Sequence, residues 1–210
     1  MALINVARRE IHCKIVYYGP GMCGKTSNLQ WIHGQVPAQA KGDLLSIATE
    51  TERTLFFDFL PIDLGKVRGF QTRFHLYTVP GQVLYERTRV AVLNGADGVV
   101  FVADSQLEKL QENLNSLKEL AQNLKNQNKK ITSFPIVLQY NKRDIPPQYE
   151  EVTLTDGTRK RRQTSGALAV DVLDKYLNGA NWSAFRGGCA ARQGVFETLR
   201  AISKAVISQL

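Results

Sequence analysis

The sequence predicts an α/β fold with a mostly parallel sheet of six or slightly more strands, one antiparallel edge strand and helices on both faces. Two patterns predict it. From about residue 70 onward, apolar runs of strand length alternate with segments whose apolar residues recur every three or four positions, as in a parallel sheet covered by helices. Before that point, a short turn at 65–69 separates two strand-like runs, which indicates an antiparallel pair at the sheet edge.

The predicted elements fit a single domain over residues 1–210. The helix at 106–128 carries leucines at three- and four-residue intervals, which predicts a face packed on the core. We interpret residues 146–188, with their proline pair and weak helix, as an elaboration at the far end of the sheet. The predicted strands lie near residues 10–18, 54–60, 70–79, 97–103, 135–141 and 183–188, and the predicted helices near 25–36, 83–94, 106–128, 166–178 and 193–209.

The composition excludes several classes of protein. The 210 residues are 43% hydrophobic and 22% charged, which fits a folded domain rather than a disordered or fibrous chain. No apolar run is long enough to span a bilayer, and Arg8 and Arg9 come too early for a signal peptide. We therefore expect a cytoplasmic protein whose membrane association, if any, depends on partners.

The net charge of +8 raises the question of nucleic-acid binding. The one dense cluster of cations is Arg159-Lys160-Arg161-Arg162, which follows Asp156-Gly157, a strong hairpin-turn dipeptide. A solvated edge hairpin, protected from strand aggregation by its charges, explains the cluster better than a nucleic-acid patch does.

A phosphate-binding loop is predicted between the first long strand and the first helix. The stretch matches G-x-x-x-x-G-K-[ST], in which glycines let backbone N–H groups surround phosphate oxygens at the positive end of a helix dipole. Lys25 would reach the β- and γ-phosphates, the Thr26 hydroxyl would bind Mg²⁺, and Gly21 leaves room beside the γ-phosphate. The predicted nucleotide-binding residues of the loop are Gly19, Pro20, Gly21, Met22, Cys23, Gly24, Lys25, Thr26 and Ser27.

Base recognition is predicted at Asn141-Lys142-Arg143-Asp144, which follows the strand near 135–141. The Asp144 carboxylate can accept two hydrogen bonds from guanine N1–H and the 2-amino group, whereas adenine presents no matching donors. The Lys142 stem would lie along the base plane. The alternative is a charged exit from a strand, but the order of the two motifs favours a GTP/GDP site that includes Asn141, Lys142 and Asp144.

The third motif is Thr78-Val79-Pro80-Gly81-Gln82, at the end of the strand near 70–79. With the two motifs above, it resembles the Ras-like small GTPases, whose D-x-x-G-Q sequence occupies this place. The resemblance implies that the Gly81 N–H senses the γ-phosphate and that Gln82 orients the attacking water. Thr78 departs from the family aspartate, and we expect the metal site to lose one negative charge, so that Mg²⁺ depends more on Thr26 and on a switch threonine.

The threonine version of this motif narrows the resemblance to the bacterial mutual-gliding, MglA-type, Ras-like GTPases. The run 53–61 and Phe74-His75-Leu76-Tyr77 support it, and the resemblance covers about residues 3–145 and 194–199. It implies that Thr54 is the switch threonine that contacts Mg²⁺ and the γ-phosphate. From the residues alone, Thr49 and Thr51 are rivals in the same loop.

Two further elements follow from the resemblance. Arg53 is the candidate arginine that neutralises developing charge on the transferring phosphoryl group, with a solvated loop arginine as the alternative. A backbone N–H before the final helix should bind guanine O6. Cys189 and Ala190 are both candidates for it, because the register is ambiguous by one residue.

The sequence therefore predicts a GTP-binding switch that hydrolyses GTP slowly with Mg²⁺. The resemblance implies a Roadblock-type GTPase-activating partner, protein effectors, and a role in cell polarity or surface motility, at cell poles or on the membrane through partners. Two alternatives remain: a guanine-nucleotide-binding scaffold with negligible turnover, because Thr78 replaces the acidic metal-holder, and a nucleic-acid-associated GTPase that uses the basic hairpin.

Overall fold

A computed structural model describes residues 2–47, 57–81, 85–156, 158–187 and 193–210. The strands are β1 Leu3–Asn5, β2 Glu10–Tyr18, β3 Leu45–Ile47, β4 Phe57–Val67, β5 Phe70–Thr78, β6 Gly98–Asp104, β7 Ile136–Asn141, β8 Gln148–Thr153, β9 Arg159–Ser165 and β10 Ser183–Arg186. The α-helices are α1 Lys25–Gln35, α2 Glu86–Leu93, α3 Leu110–Asn126, α4 Val170–Leu177 and α5 Val195–Ile207.

Eight strands form one sheet in the order β10-β7-β6-β2-β5-β4-β3, with β1 paired to β2 beside this path. Strands β10, β7, β6, β2 and β5 are parallel, whereas β4 is antiparallel to both β5 and β3. The predicted mostly parallel sheet with an antiparallel edge is thus confirmed. The edge is one strand wider than the prediction, because β3 continues it.

Helices bury apolar side chains on both faces of the sheet. Helices α1 and α5 cover one face, where Leu29 and Ile202 are fully buried against the strands. Helices α2, α3 and α4 cover the other, where Leu120 and Leu124 of α3 are fully buried. The leucine-rich face predicted for the 106–128 segment therefore packs on the core. In the described residues, no helix is long and apolar enough to cross a membrane.

The predicted helix at 166–178 is shorter than the pattern indicated. It begins only at α4, because Gly166 has a left-handed φ of +79° and Ala167 forms a bridge with Gln106. The Leu168 N–H donates to Ser105 O at 2.8 Å, which ties this stretch to the end of β6 instead of to a helical turn.

The sequence predicts that the basic hairpin lies at an edge of the main sheet, but the structure does not place it there. Strands β8 and β9 form a separate two-stranded sheet, most of whose side chains are exposed. Two of its cations have partners across the strands: Arg162 forms an ion pair with Glu150 at 2.6 Å, and the Arg161 guanidinium lies 5.0 Å from the centre of the Tyr149 ring. These contacts agree with a solvated hairpin more than with a nucleic-acid patch.

Candidate functional site

The candidate site lies at the carboxyl ends of the central strands. The phosphate loop follows β2, Gly81 comes after β5, and Asn141 ends β7. These strands belong to one parallel array, so their carboxyl ends meet at the same edge of the sheet. The fold thus brings together three motifs that are far apart in the sequence.

The glycines of the phosphate loop are required where the backbone passes close to its neighbours. Gly19 has a φ of +145°, and a Cβ there would lie 2.2 Å from Val102 O. Gly24 has a φ of +102°, and a Cβ there would lie 2.2 Å from Asn141 Nδ2. A side chain at either position would push the loop away from β6 or from the base-recognition motif.

Lys25 lies under the loop rather than on its surface. Its side chain is buried, and the Nζ donates to Gly19 O at 3.0 Å and to Pro20 O at 2.6 Å. Burial raises the pKa of the neighbouring Cys23 thiol, and the Lys25 ammonium only partly opposes this effect. The lysine is therefore the positive charge of the loop, and Cys23 is a neutral filler beneath it.

Gly81 packs directly on the phosphate loop. A Cβ at Gly81 would lie 2.3 Å from Gly21 N, so that only glycine allows this approach. A Cβ at Gly21 would lie 3.8 Å from Gly81 C and O, an ordinary contact that a larger side chain would turn into a clash. Gly21 and Gly81, which are each predicted to lie beside the γ-phosphate, are therefore neighbours in the fold.

A carboxylate not predicted from the sequence lies beside Thr26. Asp58 of β4 is buried, and its Oδ2 accepts from the Thr26 hydroxyl at 2.6 Å and from the Thr78 hydroxyl at 2.8 Å. Its Oδ1 accepts from Ser46 at 2.7 Å, and its own N–H donates to Thr78 Oγ1 at 2.8 Å. Three hydroxyl groups thus hold one negative charge at the predicted metal position.

Asp58 corrects the expectation that the threonine at position 78 costs the predicted metal site one negative charge. Thr78 is on β5, and its neighbour strand β4 brings the carboxylate to the same place. The charge is displaced to another strand rather than lost. Thr78 becomes a hydrogen-bonding group that orients this carboxylate.

The base-recognition motif is joined to the phosphate loop by Asn141. Its Nδ2 donates to Cys23 O at 2.6 Å, which fixes the distance between the two motifs. Lys142 has a left-handed φ of +60° and its Nζ lies 2.6 Å from Asp104 Oδ2. Asp144 is exposed and makes no hydrogen bond with another described residue, so both carboxylate oxygens remain open to donors from a ligand.

Several predicted residues lie at the surface or outside the described part of the chain. Met22 is 86% exposed, and Ser27 is exposed on the first turn of α1. Only the backbone of these two residues is expected to contribute to the phosphate loop. The residues that fall outside the described ranges are Arg53, Thr54, Gln82, Cys189 and Ala190, together with the rivals Thr49 and Thr51.

The sequence analysis did not single out Asp58 or Asp104, but the sequence contains a signal for each. In β4 the inward side chains alternate with outward ones, and Asp58 is in phase with buried Leu60 and Ile62. Asp104 closes a strand in which every side chain is buried. A single carboxylate in phase with a buried apolar series is costly unless it is paired, and such positions are candidates for functional roles.

The residues present fit a magnesium nucleotide. Hydroxyl and carboxylate oxygens are the ligands that Mg²⁺ prefers, and Thr26 and Asp58 place both kinds together. Within the described ranges, no three His, Cys, Asp or Glu residues form a complete metal cage. The Thr26 hydroxyl and the Asp58 carboxylate therefore fit a cation that takes its remaining ligands from phosphates. Asn141 Oδ1 is buried without a hydrogen-bond partner among the described residues, as expected beside a ligand pocket.

Comparisons with known proteins identify the family. No family model matches the chain. The chain is 49% identical over 210 residues to the mutual gliding-motility protein MglA of Myxococcus xanthus strain DK1622, and the alignment covers 100% of this chain and 98% of that protein. Identity at this level over the full length, together with the three motifs at one sheet edge, shows that the chain belongs to the MglA-type family of Ras-like small GTPases, which bind guanine nucleotides.

Proposed function

We propose that this chain is a molecular switch that binds GTP, hydrolyses it slowly to GDP and phosphate, and is stimulated by a protein partner. The observation that carries the proposal is the Asn141 bridge. It joins a phosphate loop to a base-recognition motif whose Asp144 is open to a ligand, so that one nucleotide can engage both.

Residues of the phosphate loop and of β4 would bind the phosphates and Mg²⁺. Lys25 supplies fixed positive charge beside the β- and γ-phosphates, and Thr26 would hold Mg²⁺ with Thr54. Asp58 adds the negative charge that favours a divalent cation there. When bound, Mg²⁺ would withdraw charge from the phosphate oxygens.

Hydrolysis would depend on two residues. Gln82 would orient the attacking water, and Arg53 would neutralise charge that develops on the transferring phosphoryl group. The γ-phosphate would also bind the Gly81 N–H, so that the loops carrying Thr54 and Gly81 differ between the GTP and GDP states. Effector surfaces would then exist in only one nucleotide state.

At the base, Asp144 would accept from guanine N1–H and the 2-amino group, and Lys142 would cover the base plane. A backbone N–H of Cys189 or Ala190 would bind guanine O6. Adenine offers no donors to Asp144, so the site would prefer guanine.

The printed name of the Myxococcus relative supports a role in gliding motility. We propose control of cell polarity or surface motility, with a Roadblock-type activating partner and protein effectors. The protein would act in the cytoplasm and would reach cell poles or the membrane through these partners.

The proposal is tested by nucleotide content and single-turnover hydrolysis. The purified protein should carry guanine nucleotide, and GTP loaded in its place should be cleaved. The variant Gln82→Leu should bind GTP equally well and cleave it roughly 100-fold more slowly. Tight GTP binding with no cleavage by the wild type, even with an activating partner, would support the scaffold alternative instead.

A further inference from the structure

The Asp104 carboxylate is buried in the floor below the base-recognition motif. It ends β6, is 0% exposed, and its Oδ2 lies 2.6 Å from Lys142 Nζ. Asp104 pairs with Asn141 at the ends of β6 and β7, and Lys142 is the residue that follows Asn141. The ion pair therefore joins the ends of two central strands at the position where the base would lie.

Asp104 is itself fixed on several sides. Its Oδ1 accepts from the Gln106 N–H at 3.2 Å and from Gln106 Nε2 at 3.1 Å. Buried Asn113 of α3 brackets its backbone: Asn113 Oδ1 accepts from the Asp104 N–H at 2.9 Å, and Asn113 Nδ2 donates to Asp104 O at 2.7 Å. These contacts fix the position of the carboxylate, and therefore the position at which Lys142 can form its ion pair.

Lys142 follows the end of β7 with a left-handed φ of +60°, a conformation that is unfavourable for a non-glycine residue. Its side chain is 28% exposed, so the head group would be free to turn to solvent if Asp104 did not hold it. The pair aligns the lysine stem instead of leaving it mobile above the site.

We propose that Asp104 is a positioning residue for base recognition: through its ion pair with Lys142 it holds the lysine stem against the guanine plane and sets how long a nucleotide stays bound. This inference rests on the proposed function of the same site. Because Asp104 is fully buried, it would act through Lys142 and not by contact with the nucleotide.

The test measures the rate of GDP dissociation for a double-mutant cycle. Asp104→Asn keeps the shape and the Gln106 hydrogen bonds but removes the charge that holds Lys142. We expect dissociation to accelerate roughly tenfold to a hundredfold, the range for loss of a hydrogen bond between charged groups. Lys142→Ala should accelerate it similarly, and adding Asp104→Asn to Lys142→Ala should change little more.

The matched control is Asp97→Asn. Asp97 precedes the opposite end of the same strand, where its Oδ2 accepts from the Lys14 N–H at 2.8 Å, far from the motif. GDP should dissociate from the Asp97→Asn variant at the wild-type rate. Asp104→Glu, which keeps the charge but displaces it, is a second variant in case Asp104→Asn folds poorly, and it should give an intermediate rate.

The outcomes separate the inference from the function that it rests on. If the wild type binds GDP no better than ADP, the proposed function itself fails. If it binds GDP tightly but Asp104→Asn and Asp104→Glu release it at the wild-type rate, only the positioning role is overturned. An equal acceleration by Asp104→Asn with and without Lys142 would show that Asp104 supports the fold and does not act through the lysine.

Discussion

Asp58 brings a carboxylate to the position that the sequence predicts for Mg²⁺. Its Oδ2 accepts from Thr26 and Thr78, so these two hydroxyl groups point toward one oxygen. Among the described residues, the side chains that donate to this buried carboxylate are neutral hydroxyl groups. A nearby cation would stabilise it further, and Mg²⁺ would supply one. The position of Asp58 thus favours a metal-dependent site despite the threonine at position 78.

The variant Asp58→Asn should weaken the effect of Mg²⁺ on nucleotide release. Removing the charge leaves oxygen donors in place but lowers the attraction for a divalent cation. We expect the Mg²⁺ concentration that half-maximally slows GDP release to rise roughly tenfold, the effect of one hydrogen bond to a charged group. Release should be followed with a fluorescent GDP analogue across a magnesium series.

Asp63→Asn is the control for this experiment. Asp63 lies on the same strand, where it accepts from the Gly65 N–H at 2.8 Å and has no contact with Thr26. Its magnesium dependence should match that of the wild type. The same midpoint for Asp58→Asn and the wild type would show that Asp58 does not contribute to the metal site.

Residues of the phosphate loop could be predicted from the sequence because their chemistry depends on local spacing. Lys25 and Thr26 follow a glycine-rich turn, and that turn defines the site by itself. Asp58 could not be predicted in the same way. Its role depends on which strand pairs with β5. The alternation that predicts an inward side chain does not indicate that Thr26 of α1 is its neighbour.

At the scale of elements, a chain of rings links β2, β5 and β4 across the sheet. His12 Nδ1 and His75 Nε2 are 2.9 Å apart, and His12 Nε2 lies 3.2 Å from Glu10 Oε2. The ring of Phe59 stacks on His75, with centres 5.7 Å apart. If His12 directs its Nε2–H to Glu10, its Nδ1 can accept from the Nε2–H of His75.

This link predicts a pH dependence of stability. Burial lowers the pKa of His75, and His12 and Arg73 lower it further. The unfolded chain therefore binds a proton at His75 more readily than the folded one does. Neutral His75 contributes its full share of the stability when the pH is above 6.5, the pKa of histidine in the unfolded chain. This contribution is lost as the pH falls below that pKa.

Urea unfolding at pH 7.5, 6.5 and 5.5 measures this effect. We expect the free energy of unfolding to decrease below pH 6.5, and the decrease to be smaller in His75→Gln, which keeps a hydrogen-bonding group but does not titrate. His33→Gln, on α1 and away from the link, serves as the control and should keep the wild-type pH profile. A wild-type profile in His75→Gln as well would exclude His75 as the titrating group.

The longer elements could be predicted from periodicity, whereas the short ones could not. Strands β1 and β3 have three residues each, too few to show an alternation. Helix α4 begins later than the pattern indicates, because Gly166 is left-handed and Ala167 and Leu168 bond to the residues that follow β6. The pattern indicates that these residues are buried, but not which backbone they bond to.

At the scale of the whole molecule, the site is held by both faces of the sheet. The phosphate loop ends at α1, whose Leu29 is in one core cluster, and the base-recognition motif ends β7, whose Tyr140 is in the other. Asn141 connects the two motifs above the sheet edge. A nucleotide bound at both ends would therefore contact elements that pack on both faces of the sheet, and its binding free energy would add to the stability of the fold as a whole.

This coupling predicts that guanine nucleotides raise the unfolding temperature and adenine nucleotides do not. A ligand that binds only the folded state adds about 4 kcal/mol to the free energy of unfolding at a thousand times its dissociation constant. Thermal unfolding with Mg²⁺ and equal concentrations of GDP or ADP should show a large shift with GDP alone. In Asp144→Asn the GDP shift should shrink, while the unfolding temperature without nucleotide stays near that of the wild type, because Asp144 is exposed and bonded to no other described residue. Equal shifts with the two nucleotides would mean that the molecule binds phosphates without recognising the base.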